Sequence, residues 1–295
     1  MDKPLRITIT GGDRRQEHLA SLLRDDGHDV SVFALDTAEF SSGVRILECF
    51  EAGASVADCI ILPLPVQSDE DMLNAPFARK RRRLSELFSK MSPGQTVVAG
   101  KIPHTLFELA GRRGIRLYDY LEREEFAVLN AVPTAEGAIQ TAMQETCSTL
   151  HGARCLVAGY GRIGKILALM LRGIGARVTA SARKCSDLAW ISACGFDSLN
   201  TERLAGCLSS FDIVFNTVPQ TIFGKALLSE LGKDATVIDL ASGPGGVDLE
   251  SASSLGIKAL QALSLPGSVA PRSSGKIIKE TIYNILEEWG VWPND

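Results

Sequence analysis

Residues 154–183, in the middle of the chain, constrain its fold more than any other stretch. An apolar strand-like run is followed there by a glycine-rich turn, an apolar pattern with helical spacing and a second strand-like run. The turn matches GxGxxG, and its six residues are Gly159, Tyr160, Gly161, Arg162, Ile163 and Gly164. In this strand–turn–helix context the motif indicates a dinucleotide, although glycines also serve ordinary turns.

Each glycine of the turn has a separate expected role. Gly159 permits the tight bend, Gly161 lets the backbone approach a diphosphate, and Gly164 lets the helix pack closely on the strand. The diphosphate is then expected over the helix N-terminus, where free N–H groups favour an anion. We therefore predict that these six residues bind a dinucleotide.

The end of the second strand indicates which dinucleotide binds. NAD-binding units carry an Asp or Glu about 20 residues past the fingerprint, where it accepts hydrogen bonds from ribose hydroxyls. Here Ser181, Arg183 and Lys184 occupy that region, and no acid follows before Asp187. These side chains can donate to a 2′-phosphate, which a carboxylate would repel. We predict NADP as the cofactor, with NAD less favoured; the alternative is a solvated basic turn.

Loops after the later strands of this half are expected to complete the cofactor site. Ligands of open parallel sheets bind beyond the carboxyl ends of the strands. The expected contacts are Asn216, Thr217, Val218, Pro219, Leu240 and Ala241. Val218 and Pro219 are expected to pack against the ribose or the nicotinamide.

The composition is that of an ordinary soluble protein with no unusual partner. The chain has 295 residues, 22% charged residues and a net charge of −4, which indicates no nucleic-acid partner. No apolar run approaches the length of a membrane span, and no signal peptide is recognised, so a cytoplasmic location is expected. Seven scattered cysteines without a CxxC pair and four histidines without ligand spacing predict neither a metal site nor a disulfide framework.

Strand-like and helical patterns alternate along the whole chain. Strands are predicted at residues 5–10, 30–35, 58–64, 96–101 and 115–120, and again at residues 155–158, from 176, and at 212–218, 236–240 and 258–263. Such alternation predicts parallel sheets with helices on both faces. The predicted fold class is α/β, with two doubly wound, Rossmann-like parallel-sheet domains and an interdomain cleft.

The domain bounds follow from breaks in this pattern. Residues 1–132 are predicted to form a substrate domain, and residues 133–272 a linker helix (134–150) and the NADP-binding domain. An amphipathic helix at residues 273–290 is predicted to pack back on the first domain. The five consecutive cations at residues 79–83 are interpreted as the solvated end of a helix, with a phosphate site or an acidic partner surface as alternatives.

Loops expected to face the cleft carry the candidates for binding and converting a small anionic substrate. Substrate-binding candidates are Arg14, Arg15, Lys101, Thr134, Gly245 and Gly267, and catalytic candidates are Glu136, Lys101 and His104. For the cations the alternative is an ordinary surface residue. For Thr134 and Glu136 it is helix capping, and for His104 a surface loop histidine.

Several segments together resemble the A subunits of dipicolinate synthase, over nearly the whole chain. They are residues 9–14, 130–137, 159–164, 216–219, 239–246 and 265–271, while Gly243 and the loop 99–104 depart from that family's pattern. The resemblance implies NADP-dependent oxidation of a dihydrodipicolinate intermediate to dipicolinate, a small dicarboxylate of spore-forming bacteria. It also implies a separate, flavoprotein-like B subunit, and a homo-oligomer is expected.

Two other functions stay open at this point. Residues 266–271 also resemble alanine dehydrogenase and the NAD-binding unit of transhydrogenase. The alternatives are therefore an alanine dehydrogenase-like or 2-hydroxyacid dehydrogenase-like oxidoreductase, and a non-catalytic NADP-sensing subunit. For the proton that the oxidation releases, the candidates are Glu136, His104 and solvent.

Overall fold

The computed structural model describes residues 4–291 of the chain. Its strands in this range are β1 (Arg6–Thr10), β2 (Asp29–Phe33), β3 (Arg45–Ile46), β4 (Cys59–Ile61), β5 (Gln67–Asp69), β6 (Met72–Leu73), β7 (Thr96–Ala99), β8 (Arg116–Asp119), β9 (Arg154–Ala158), β10 (Arg177–Ala182), β11 (Asp197–Asn200), β12 (Ile213–Asn216), β13 (Thr236–Asp239) and β14 (Lys258–Gln261). Its α-helices in the same range are α1 (Arg14–Asp25), α2 (Phe50–Ala54), α3 (Leu84–Ser89), α4 (His104–Arg112), α5 (Glu124–Glu145), α6 (Arg162–Gly173), α7 (Cys185–Ala193), α8 (Lys225–Leu228), α9 (Leu249–Leu255), α10 (Leu265–Val269) and α11 (Pro271–Glu288).

The chain divides into two compact units. Unit 1 contains the residues up to Asn130 and those from Ala270 onward, and unit 2 is Ala131–Val269. Unit 1 has a parallel sheet in the order β3-β2-β1-β4-β7-β8, with a small β5–β6 hairpin inserted. Unit 2 has a parallel sheet in the order β11-β10-β9-β12-β13-β14. Both follow the 3-2-1-4-5-6 order of doubly wound domains, which confirms the prediction of an α/β fold with two Rossmann-like parallel sheets.

The central strands are buried on both faces. Every residue of β4, β7, β12 and β13 is buried, and so are four of the five residues of β1 and of β9. Helices on both faces of a parallel sheet produce continuous apolar strands of this kind. The loops at the carboxyl ends of these strands are therefore held on a rigid core.

Helix α11 returns to the core of unit 1, as predicted for the C-terminal amphipathic helix. Ile278, Ile282 and Ile285 are at most 3% exposed and belong to the same apolar cluster as β1 and α1. At Gly275 the backbone of α11 approaches α1 so closely that a Cβ would lie 2.8 Å from the carbonyl oxygen of Arg15. The last helix thus completes the first sheet's core.

A polar cluster, formed by His28, Asp26, Lys279 and Tyr283, also links α11 to the start of β1. The backbone N–H of Leu5 donates to Nδ1 of His28 at 3.1 Å, so the ring proton lies on Nε2, 2.9 Å from the Tyr283 hydroxyl. Tyr283 and Lys279 both donate to Asp26, at 2.7 and 2.5 Å. Burial lowers the pKa of His28, which favours the neutral ring.

The predicted linker helix at residues 134–150 is wrong in both bounds. Helix α5 begins at Glu124 and ends at Glu145, with Pro133 in its interior. Proline lacks an N–H and more often begins a helix, at a cost of about 3 kcal/mol in an interior. Here burial on both sides of the proline outweighs that cost, because Phe126 packs in the core of unit 1 and Ala135 and Ala138 pack in the core of unit 2.

The cations at residues 79–83 do not form the end of a helix, contrary to the prediction. Helix α3 begins only at Leu84, after Arg83 as its N-cap. Acids of the hairpin pair with two of the cations, Asp69 with Arg81 at 2.5 Å and Asp71 with Arg83 at 3.9 Å. The guanidinium of Arg82 stacks over Phe33, 5.0 Å from the ring centre. Local ion pairs and this stacking hold the run in an irregular loop.

Within residues 4–291, no helix is both long enough and apolar enough to span a bilayer. No three or more His, Cys, Asp or Glu side chains in that range are grouped so as to hold a metal ion.

Candidate functional site

The glycine turn after β9 is built by close packing on both of its sides. Gly159 has φ +96°, and its N–H donates to the carbonyl of Ser181 at 3.0 Å. A Cβ at Gly159 would lie 2.9 Å from Cγ2 of Val218. A Cβ at Gly164 would lie 3.0 Å from the carbonyl carbon of Gly159 and closer still to its oxygen. The first turn of α6 therefore rests directly on the end of β9, as the fingerprint requires.

The middle glycine leaves an open cradle at the N-terminus of α6. Gly161 is the N-cap of α6, with no side chain capping the helix, and a Cβ there would meet nothing within 4 Å. Uncapped N–H groups at an open helix start match the donor set that a diphosphate needs. Beside the cradle, Arg162 is exposed and Ile163 packs on the core. These residues fit a dinucleotide diphosphate.

Tyr160 contributes differently from the glycines, because its side chain is buried beneath the turn. Burial and a hydrogen bond with Cys194 raise the pKa of its phenol to about 12. The ammonium of Lys165 lies 5.7 Å from the ring centre. The neutral phenol thus packs beneath the turn. Any contact of Tyr160 with the cofactor is therefore made by its backbone.

The end of β10 presents two free cations but no free hydroxyl. Ser181 accepts a hydrogen bond from Thr201 at 3.1 Å and is fully buried, and because of this burial the structure does not support its predicted contact with a 2′-phosphate. Arg183 is exposed, and so is Lys184, the N-cap of α7. Within residues 4–291 neither cation forms an ion pair. Arg183 and Lys184 are therefore the groups at this edge that can bind a phosphate.

The loop after β12 is fixed by the side chain of Asn216. This amide is fully buried; its Nδ2 donates to the carbonyl of Val218 at 3.0 Å, and its Oδ1 accepts from the Val218 N–H at 3.2 Å. Thr217 donates through Oγ1 to Ala158 at 2.9 Å, beside the glycine turn. Val218 is partly exposed and Pro219 is exposed, so both side chains can contact a ligand.

Asp239, at the end of β13, organises the next loop and was not among the predicted site residues. It is 2% exposed and accepts from the Asn216 amide at 2.8 Å. It also accepts from the backbone N–H groups of Ala241, Gly246 and Val247, at 3.1, 2.7 and 3.2 Å. The sequence signal that could have found Asp239 is a single acid at the end of an apolar strand, because a buried carboxylate needs hydrogen-bond donors around it.

Four further candidates of unit 2 lie on the loop after β13 and on α10. Leu240 and Ala241 are buried, so any cofactor contact they make is through the backbone. Gly245 has φ +93°, and a Cβ there would lie 2.7 Å from Oδ2 of Asp239. Gly267 belongs to α10, which packs on α5 so closely that a Cβ at Gly137 would lie 2.8 Å from Leu265 Cβ.

Thr134 and Glu136 lie near each other on α5 but differ in exposure. Thr134 is buried, whereas Glu136 is exposed. Since α5 begins at Glu124, neither residue caps the helix start, which removes the capping alternative. Of these two side chains, the carboxylate of Glu136 is therefore the accessible one.

The glycine turn of unit 1 is closed, in contrast to that of unit 2. The N–H of Gly12 donates to the carbonyl of Asn74 at 2.8 Å, and a Cβ at Gly11 would lie 2.7 Å from Cδ2 of Leu73. A Cβ at Gly12 would overlap the side chain of Gln16. The side chain of Asp13 also caps α1 by accepting from the Arg15 N–H, so this helix start is already capped, unlike that of α6, although both sheets have the same strand order.

The two arginines after that turn have different environments. Arg15 is 7% exposed; its guanidinium contacts both carboxylate oxygens of Asp13, at 2.8–3.2 Å, and donates to the carbonyl of Leu64. Arg14 is exposed at the start of α1 and has no partner within residues 4–291. Arg14 is therefore available to an anion, whereas Nε and Nη2 of Arg15 already donate to Asp13 and Leu64 inside unit 1.

Lys101 lies on a loop that a second carboxylate shapes. Lys101 has φ +57°, its side chain is exposed, and its N–H donates to Oδ1 of Asp119 at 3.1 Å. Asp119 also accepts from the N–H groups of Ile102 and Leu121, at 2.7 and 2.8 Å. His104 begins α4 with a largely exposed ring, 3.3 Å from Glu108. Asp119 was missed by sequence reasoning, because its partners meet only in the fold.

Together, the strand order of unit 2, the open cradle at Gly161 and the loops after β12 and β13 define an NAD(P)-binding dehydrogenase domain. A family model agrees: residues 123–250 match the D-isomer specific 2-hydroxyacid dehydrogenase, NAD binding domain. Residues 6–121 match the N-terminal domain of the A subunit of dipicolinate synthase.

The whole chain has a relative of the same kind. The A subunit of dipicolinate synthase from Bacillus subtilis (strain 168) is 32% identical over 287 residues, which cover 96% of this chain and 96% of the relative. The chain belongs to the family of dipicolinate synthase A subunits, which confirms the resemblance noted in the sequence.

Solved structures show the same relationship. The crystal structure of the dipicolinate synthase A subunit from Bacillus halodurans superposes with a TM-score of 0.88 at 32% identity, covering 95% of this chain and 97% of that one. The transhydrogenase from Sinorhizobium meliloti superposes with a TM-score of 0.72 at 17% identity, covering 96% and 94%. The likeness to the transhydrogenase concerns the fold alone.

Proposed function

We propose that this protein oxidises a dihydrodipicolinate intermediate to dipicolinate, with NADP⁺ as the hydride acceptor. The observation that carries the proposal is the family relationship, which extends over 96% of the chain. The open cradle at Gly161 supports the proposal, because the reaction requires a site that can bind the cofactor.

The preference for NADP rests on the two free cations after β10. A 2′-phosphate needs charged donors where an NAD site carries an acid. Arg183 and Lys184 are exposed there, and no acid precedes Asp187. In this proposal Arg183 binds the 2′-phosphate through its planar fork and Lys184 adds a second charge. Ser181 takes no part, because its hydroxyl is buried.

The proposed reaction needs positioning more than activation. The substrate loses a hydride and a proton, and the product ring becomes aromatic, which supplies much of the driving force. Bound NADP⁺ supplies the acceptor carbon for the hydride. Holding two reactants in register can contribute several kcal/mol, about 7 or more in well-oriented cases. The protein's main contribution is therefore to hold the dicarboxylate.

We assign that task to the free cations of unit 1. In this proposal Arg14 and Lys101 bind the two substrate carboxylates, since both side chains are exposed and lie after a strand of the parallel sheet. The N–H groups of Gly245 and Gly267 already donate to the carbonyls of Ser242 and Ser264, at 3.1 and 3.2 Å, so we assign no substrate carboxylate to these two candidates. Arg15 acts indirectly, by fixing Asp13 and the start of α1.

The released proton has two candidate acceptors besides solvent. Glu136 is exposed on α5 and is our first choice, because a carboxylate can accept a proton directly. His104 is the second candidate, although Glu108 lies beside its ring. We further propose that the partner is a flavoprotein-like B subunit, since the relatives are named as A subunits.

A substrate panel with the purified chain tests the proposal against its alternatives. We expect NADPH and dipicolinate to form when NADP⁺ and a source of the dihydro compound are supplied. Reductive amination of pyruvate with ammonia would instead identify an alanine dehydrogenase-like enzyme. Dinucleotide binding without turnover of any substrate, with and without the B subunit, would identify a sensor.

A further inference from the structure

The carboxylate of Asp239 links two loops that are separate in sequence. Oδ1 accepts from the Asn216 amide, and Oδ2 accepts from the backbone of Gly246 and Val247. The same Asn216 amide donates to Val218 in the loop after β12. One network therefore fixes the loop 216–219 and the loop 241–247 relative to each other.

The two loops are also packed with no room between them. A Cβ at Gly246 would lie 2.9 Å from the carbonyl oxygen of Gln220, and closer still to the Asn216 amide and the Val218 carbonyl. The carbonyl of Gly246 accepts from the N–H groups of Ile222 and Phe223, both at 3.0 Å. Neither loop can move by much without breaking bonds to Asp239 or Asn216.

The strand order places these loops at one half of the proposed cofactor site. The diphosphate belongs at the turn after β9, and the adenosine half lies on the side of β10, where NAD sites carry their ribose-binding acid. Strands β12 and β13 lie on the opposite side of β9. The loops that follow them are therefore expected to contact the nicotinamide half.

We propose that Asp239 is a positioning residue for the nicotinamide half of the cofactor. Its carboxylate is 2% exposed and enclosed by its four donors, so it does not touch the cofactor itself. It acts by holding the backbone of both loops in one arrangement. This inference rests on the proposed function, because it requires a dinucleotide at the glycine turn.

The substitution Asp239→Asn gives the sharpest test. It keeps the size of the side chain but places an NH₂ group against at least one N–H donor, since both carboxylate oxygens accept hydrogen bonds. Binding is measured by calorimetry for NADP⁺ and for 2′,5′-ADP, which contains the adenosine half without nicotinamide. We expect NADP⁺ to bind about ten- to a hundredfold more weakly and 2′,5′-ADP to bind as in the wild type.

Two further variants make the result interpretable. Asp234→Asn is the same chemical change at an exposed acid just before β13, at the other edge of the sheet, and should leave both affinities unchanged. Asn216→Ala removes the link to the first loop but keeps the three backbone donors on Asp239. It should reproduce the loss for NADP⁺ even if Asp239→Asn does not fold.

The outcomes separate this inference from the proposed function. Unchanged NADP⁺ binding in Asp239→Asn or in Asn216→Ala overturns the inference. Equal losses for NADP⁺ and 2′,5′-ADP also overturn it, because they show a merely structural role. A wild-type protein that binds neither compound overturns the proposed function and, with it, this inference.

Discussion

Replacing Gly164 by alanine should destabilise unit 2, because α6 rests on the end of β9 at this glycine. The added Cβ would lie 3.0 Å from the carbonyl carbon of Gly159, and closer to its oxygen, where ordinary contacts begin at 3.4 Å. The opposing atoms belong to the backbone and cannot rotate away, so the helix must shift. Overpacking of this kind costs about 1–3 kcal/mol, and we expect the upper end of that range.

Two other glycines, the N-cap and the last residue of α6, serve as matched controls. Gly161 and Gly173 both have open space where a Cβ would be. Gly161→Ala should lower stability by less than about 1 kcal/mol, the difference between these residues at an N-cap. It should weaken NADP⁺ binding by about 1–3 kcal/mol, because the methyl group lies where the diphosphate approaches. Gly173→Ala should stabilise by about 0.4–1 kcal/mol and leave binding unchanged.

The assay must report on unit 2 by itself, since a chain with two units need not unfold in one step. Hydrogen–deuterium exchange of peptides from β9 and α6, followed across a urea series, meets this need. Calorimetry gives the affinity for NADP⁺. If Gly164→Ala unfolds at the urea concentration of the wild type, or Gly161→Ala binds NADP⁺ as the wild type does, the packing argument for the turn is refuted.

Three further predictions concern the cofactor, the substrate and pH. Arg183→Ala should weaken NADP⁺ binding by about 1.5–3 kcal/mol, the contribution of a charged hydrogen bond, and leave NAD⁺ binding nearly unchanged; equal losses in titrations of both cofactors would refute the assignment. Arg14→Ala and Lys101→Ala should each lower kcat/KM for the dicarboxylate by about tenfold or more, without changing the dissociation constant of NADP⁺. Steady-state kinetics that show intact turnover in both variants would mean that the substrate binds elsewhere. Burial lowers the pKa of His28 in the folded protein, so the unfolded chain binds a proton at this side chain more readily. Unit 1 should therefore lose stability as pH falls below 6.5, the ordinary pKa, and through the lower pKa of the folded state. Urea midpoints of peptides from β1 should show this loss in the wild type and less of it in His28→Gln; an identical pH dependence in both proteins would contradict the assignment.

The parts of the fold that local sequence determines were predicted well. The fingerprint turn and the central strands depend on glycine spacing and on continuous apolar runs, both of which are visible without tertiary information. The start of α5 was not predictable in this way. A proline usually begins a helix, and only burial on both sides of Pro133 allows α5 to continue through it.

The polar framework of the site was harder to predict for a similar reason. Asp239 and Asp119 accept hydrogen bonds from backbone groups that meet only after the sheets have formed. Ser181 has a residue type suited to a phosphate, but Thr201, after the neighbouring strand, buries and engages its hydroxyl. The β5–β6 hairpin, whose end contacts the turn of unit 1, has strands of only three and two residues, too short to show strand alternation.

A crystal structure with NADP⁺ and dipicolinate bound together would test the central claim most directly. The account predicts a diphosphate over Gly161 at the start of α6, a 2′-phosphate against Arg183 and Lys184, and a dipicolinate carboxylate against Arg14 or Lys101. A dinucleotide bound away from the glycine turn, or dipicolinate that contacts neither Arg14 nor Lys101, would contradict it.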